Sequence, residues 1–138
     1  DRFAGSQQTA PLQHVADHYE VRGETEAARA ALEKAASHYQ NVIRDYASTP
    51  AELTARGYLI DARIRQQRWE EAARLLVETA ERFSNSESSP SMRLQAADIL
   101  DTRLGRKDDA ARVLESIIGM YEGRSAAVEA ERRLKELR

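Results

Sequence analysis

The chain repeats itself. A regular internal repeat restricts the possible folds more than any other feature of the sequence, because each unit must then form the same supersecondary structure. Three markers recur in the same order: a proline, an acidic residue followed by two alanines, and an aromatic residue. They stand at Pro11, Glu26 and Tyr46, at Pro50, Glu71 and Phe83, and at Pro90, Asp109 and Tyr121.

Each unit is predicted to form two helices. In the second helix of the first unit, apolar residues recur at alternating steps of four and three from Ala28 to Tyr46. That period lines one face of a helix of about six turns. No alternating β-branched run lies between turn residues, so no strand is expected. The predicted organisation is an N-terminal arm or remnant of a preceding repeat at 1–10, a helical repeat domain at 11–138 with units at about 11–46, 50–83 and 90–121, and a capping helix at 125–138.

Composition excludes several classes of function. Lys and Arg total 21 and Asp and Glu total 23, interspersed along the chain. There is therefore no basic field to attract a nucleic acid. No apolar run approaches the roughly 20 residues needed to cross a bilayer, so direct membrane insertion is not expected. Without cysteine there is no disulfide and no thiolate metal site.

Catalytic and metal sites have little support in the sequence. His14 and His18 are four residues apart and could face one metal ion, but two ligands are a weak signal, and a solvated pair lining a groove is the simpler interpretation. The acidic pairs at 70–71 and 108–109 begin helices, where carboxylates complement the helix dipole. We therefore predict no catalytic residue, no metal and no cofactor.

Small and large apolar residues recur at helix positions in the second and third repeats: Leu59, Trp69, Ala72, Leu76 and Phe83, then Ala97, Gly105, Ala110, Leu114 and Tyr121. On these residues the repeat resembles the tetratricopeptide repeat (TPR) family, whose pattern of about 34 residues forms a helix hairpin. The resemblance implies an all-α, right-handed α-α superhelix of about three hairpins plus a C-terminal capping helix. The aromatic residues followed by serine resemble the bacterial cell-envelope variety, which favours the periplasm or envelope over the cytoplasm.

The resemblance also implies a noncatalytic scaffold that binds a partner peptide or helix in a concave groove lined by the first helices. The predicted groove residues include more acidic than basic side chains, so we expect a partner segment with Lys or Arg. The alternatives are a structural spacer or self-association segment of a larger envelope protein, and a regulatory domain of a larger enzyme. In each case the chain is expected to be part of a longer polypeptide. The predicted groove residues are His14, Asp17, His18, Thr54, Tyr58, Asp61, Arg65, Gln95, Asp98 and Thr102.

Overall fold

A computed structural model describes residues 25–138, and these residues form six α-helices and no strand. The prediction of an all-helical fold is confirmed. The arm at 1–10 and the first helix of the first unit lie outside the described residues. The helices are α1 (Thr25–Asp45), α2 (Pro50–Arg65), α3 (Trp69–Arg82), α4 (Ser89–Thr102), α5 (Lys107–Met120) and α6 (Ser125–Leu137).

The helices belong to two compact structural units, which do not coincide with the sequence repeats. From here on, the first unit is the one that extends to Arg68, and the second unit is the one that begins at Trp69. In the first unit α1 packs against α2. In the second unit each helix from α3 to α6 packs against the next, and α4 also contacts α6. Contact with both the next helix and the one after it is typical of stacked helix hairpins.

Three connectors have the same backbone hydrogen bonds. In each, the amide three positions after the aromatic marker donates to the carbonyl oxygen of that aromatic residue. The equivalent residues recur at almost constant spacing, so the marker identifies a repeated turn, with α2, α4 and α6 as successive first helices. The donor and acceptor pairs are Thr49 and Tyr46 at 3.3 Å, Ser86 and Phe83 at 2.9 Å, and Arg124 and Tyr121 at 2.9 Å.

The turns that follow α2 and α4 both use a left-handed residue. Gly105 has φ 65° and Gln67 has φ 60°. In the turn after α2 the Arg68 amide donates to the Arg63 carbonyl at 2.9 Å, which closes the end of α2. Glycine adopts this conformation without steric cost, whereas a residue with a Cβ does not. The turn at Gln67 is therefore strained.

The core of the second unit is built at helix positions that repeat. Leu76 on α3 and Leu114 on α5 are both buried, and each precedes the aromatic marker of its own repeat by the same number of positions, so the two residues are equivalent. Ser89, at the start of α4, donates its hydroxyl to the Ala80 carbonyl at 3.0 Å. Its oxygen then accepts from the Tyr121 hydroxyl, also at 3.0 Å. One buried hydroxyl pair thus joins α3, α4 and the residue that follows α5.

The first helices differ in their buried charges. On α2 the buried Glu52 carboxylate accepts from the Ser48 amide and from Arg56 Nε, both at 2.8 Å. On α4 the residue equivalent to Glu52 is Ser89, so Arg93, the equivalent of Arg56, lacks that carboxylate. Arg93 is buried, and its Nε has no hydrogen-bond partner. A buried guanidinium without a carboxylate is costly.

Candidate functional site

The predicted residues on α2 share one face of the helix. Thr54 is exposed, and Tyr58 and Asp61 are half-buried. The Tyr58 ring stacks on the buried Tyr39 ring, with centroids 5.4 Å apart and planes at 18°. Arg65 Nε donates to Asp61 Oδ2 at 2.9 Å, so these two charges compensate each other. This face offers a potential partner an aromatic edge and a paired charge.

The predicted residues on α4 form a second exposed strip. Gln95, Asp98 and Thr102 are all exposed. The Thr102 hydroxyl donates to the main-chain carbonyl of Asp98 at 2.8 Å, so it bonds within its own helix. Within residues 25–138, no side chain forms an ion pair or hydrogen bond with the Asp98 carboxylate. Asp98 is therefore available to a partner.

An acidic residue occupies the same position on three successive first helices. The register set by the connectors makes Asp61 on α2 equivalent to Asp98 on α4 and to Glu136 on α6. Sequence reasoning missed Glu136. The signal was present, because Glu136 follows Tyr121 by as many positions as Asp98 follows Phe83.

Asp98 lines a cavity of about 300 Å³ whose walls are formed by α4, α5 and α6 of the second unit. We call it the charged cavity. Small and aliphatic side chains form part of its wall, and charged side chains from all three helices form the rest. Sequence reasoning placed Asp98 on this surface but none of the other charged residues. The lining residues are Ala97, Asp98, Asp101, Lys107, Ala110, Leu114, Arg132, Arg133, Glu136 and Leu137.

The cations of the charged cavity are already paired. Lys107 Nζ donates to Asp101 Oδ1 at 2.6 Å. Arg132 Nη1 donates to Glu136 Oε2, also at 2.6 Å. Both pairs lie within the lining, so their charges cancel. The lining charges that remain are Asp98, which has no ion-pair partner among residues 25–138, and Arg133, which binds Glu129 outside the lining.

Glu129, one turn before Arg133 on α6, completes this network. Arg133 Nε donates to Glu129 Oε2 at 2.8 Å, and Arg132 Nη2 donates to the same oxygen. Hydrogen bonds from Arg132 and then from Arg133 lower the pKa of the Glu129 carboxyl to about 2. Arg133 Nη1 also donates to the Leu94 carbonyl at 3.3 Å, which ties α6 to α4. Glu129 is therefore ionised at physiological pH and binds both arginines.

Among residues 25–138, no group of three or more His, Asp or Glu side chains is placed to hold a metal ion. No helix in the same range is long and apolar enough to cross a membrane. The remaining predicted groove residues, His14, Asp17 and His18, fall outside the described part of the chain.

Comparison with known proteins establishes the fold. No protein-family model matches the chain, and no curated protein matches it. Among solved structures, it is similar to the crystal structure of the nearly identical TPR-like repeats of a putative kinesin light chain from Podosopora anserina, with a TM-score of 0.61 and 16% identity. The match covers 98% of this chain and 67% of the other. The chain has a TPR-like helical repeat fold. At this identity the likeness concerns the fold alone.

Proposed function

We propose that this chain is a noncatalytic protein-interaction module whose first helices bind a segment of a partner protein. TPR-like repeats commonly serve as such scaffolds. The observation that carries the proposal is the unpaired Asp98 carboxylate in the wall of the charged cavity. A volume of about 300 Å³ is at the lower end of the range for ligand pockets and suits one or two side chains of a peptide.

The charge of the site selects the partner. A Lys or Arg of the partner can pair with Asp98 while its aliphatic stem lies over Ala97 and Ala110. Glu136 repeats this position on α6, but it is paired with Arg132, so Asp98 is the acid that the site offers to a partner. Because the site is open to solvent, affinity should fall as salt is raised.

Panning of a random peptide display library on the full chain tests this function. We expect the enriched peptides to contain Lys or Arg. Asp98→Lys should weaken their binding about tenfold, the loss expected for one charge-assisted hydrogen bond. Asp61→Lys, measured separately, shows whether α2 contributes. Glu122→Lys is the matched control, because Glu122 is an exposed acid outside the cavity lining.

Circular dichroism must first show that each variant keeps its helices. If no peptide is enriched, or if Asp98→Lys and Glu122→Lys weaken binding equally, the proposed site is wrong. The bacterial envelope origin favoured by the sequence remains a prediction, and the fold provides no support for it.

A further inference from the structure

The second unit has another concave surface, between α3 and α5 and over the end of α4. Its volume is about 390 Å³. It lies on a different side of α4 from the charged cavity, because Leu100 and Leu104 line it whereas Asp98 and Asp101 line the cavity. We call it the apolar groove. Its apolar lining consists of Ala73, Val77, Leu100, Leu104 and Val113.

Apolar side chains in this groove remain accessible. Leu100, Leu104, Val77 and Val113 are all half-buried rather than buried, although each is a residue that is normally found in a core. They come from three helices of one unit, so packing within that unit holds them side by side. An aliphatic side chain that covered them would remove apolar surface from water on both partners.

Three arginines frame the apolar groove. Arg74 on α3 and Arg112 on α5 occupy equivalent helix positions, since each precedes the aromatic marker of its own repeat by the same number of residues. They lie on the two helices that flank the groove, and Arg106 lies just before α5. Their side chains are exposed to solvent. Arginine presents a planar fork of donors that matches a carboxylate in two parallel hydrogen bonds.

These arginines keep most of their donors free. Arg106 donates one Nη to Glu70 at 3.1 Å, and Arg112 donates one Nη to Asp109 at 2.6 Å. Arg74 is 4.0 Å from its nearest carboxylate, beyond hydrogen-bond distance. Exposed pairs of this kind contribute little to stability, so a ligand carboxylate can join or replace them at small cost. The two acidic residues that line the groove, Glu70 and Asp109, already pair with Arg106 and Arg112.

We propose that the apolar groove docks an acidic segment of a partner protein, in which a leucine or a similar aliphatic residue is flanked by Glu or Asp. The aliphatic residue packs on Leu100 and Leu104, and the flanking carboxylates bind the guanidinium groups of Arg74, Arg106 and Arg112. A basic segment meets three arginines and no free acid. The two surfaces of the second unit thus prefer partners of opposite charge.

The experiment measures fluorescence anisotropy of a labelled peptide with two adjacent leucines flanked on each side by glutamates, titrated with the full chain. We expect saturable binding that weakens with salt. Arg74→Glu combined with Arg112→Glu should weaken it about tenfold or more, since each charge-assisted contact is worth about a factor of ten. Leu104→Ser should weaken it without reducing the salt dependence.

Matched variants separate specific from general effects. Arg44→Glu reverses an exposed arginine outside the lining, and Val128→Ser removes an exposed aliphatic side chain outside it. Both should bind as the parent does. Asp98→Lys should also leave this peptide unaffected, so failure of this proposal and failure of the proposed function are distinguishable.

Several results would overturn the proposal. One is absence of binding by the parent chain. Another is equal or tighter binding of a peptide in which the glutamates are replaced by lysines. A third is concentration-dependent dimerisation, measured by light scattering, that the arginine reversals abolish, because the groove would then be an interface between two copies of this chain.

Discussion

Exchanging the residues at two equivalent turns should shift stability in opposite directions. Gln67 and Gly105 end the turns after α2 and α4 with nearly the same positive φ. We expect Gln67→Gly to stabilise the chain and Gly105→Ala to destabilise it. The effect should be purely conformational at Gly105, because a Cβ built there has no heavy atom within 4 Å.

The magnitude follows from two opposing terms. A residue with a Cβ in the left-handed region costs about 1–2 kcal/mol relative to its preferred conformation. Glycine loses more backbone entropy on folding, by about 0.5–1 kcal/mol. The net change at each turn therefore lies between about 0 and 1.5 kcal/mol, with a central value of about 0.75 kcal/mol. For a chain of this size that corresponds to a shift of roughly 2–4 °C in Tm.

Urea and thermal unfolding followed by far-UV circular dichroism measure both changes. Gln67→Ala is the control, because it keeps the Cβ and the strain while it removes the exposed amide, and it should be close to neutral. The reasoning is refuted if Gln67→Gly destabilises the chain, or if the two glycine exchanges shift Tm in the same direction.

Three further predictions concern packing and charge. Leu76→Ala or Leu114→Ala should each cost about 2–5 kcal/mol in urea unfolding, because both side chains are buried; parent-like melting would contradict the assigned register. Arg93→Met should leave stability unchanged or raise it by about 1 kcal/mol or more, whereas Arg56→Met should lower it, because Arg56 binds the buried Glu52. Because the pKa of Glu129 is lowered from 4.5 to about 2, its contribution to stability is complete above pH 4.5 and is lost as the pH falls toward 2. Glu129→Gln should therefore make the free energy of unfolding depend less on pH between 4.5 and 2. An unchanged pH profile would contradict this prediction.

The connectors show how far local sequence determines structure. The aromatic marker predicted where each second helix ends, and the same hydrogen bond forms three residues later at Tyr46, Phe83 and Tyr121. These contacts are local, so residue type and spacing suffice to predict them. The turn at Gln67 is different, because no local preference favours a left-handed glutamine. In this turn the Arg68 amide donates to the Arg63 carbonyl at 2.9 Å, which closes the end of α2.

The candidate site shows which features local sequence cannot predict. The helical period placed Tyr58 and Asp61 on one face of α2, and Gln95 and Asp98 on one face of α4. The period alone fixes which residues of a helix share a face. It did not predict that Tyr58 stacks on Tyr39.

The sequence by itself determined that the chain is an array of helix hairpins, where its helices and connectors lie, and which acids repeat along it. Only the tertiary structure decided which charges remain unpaired. Asp101 is neutralised by Lys107 of another helix and Glu136 by Arg132 of its own, while Asp98, on the same helix as Asp101, keeps its charge. Charges carried by neighbouring helices cancel or persist according to the distances between their side chains. Packing of the helices sets those distances, and no pattern along the chain encodes them.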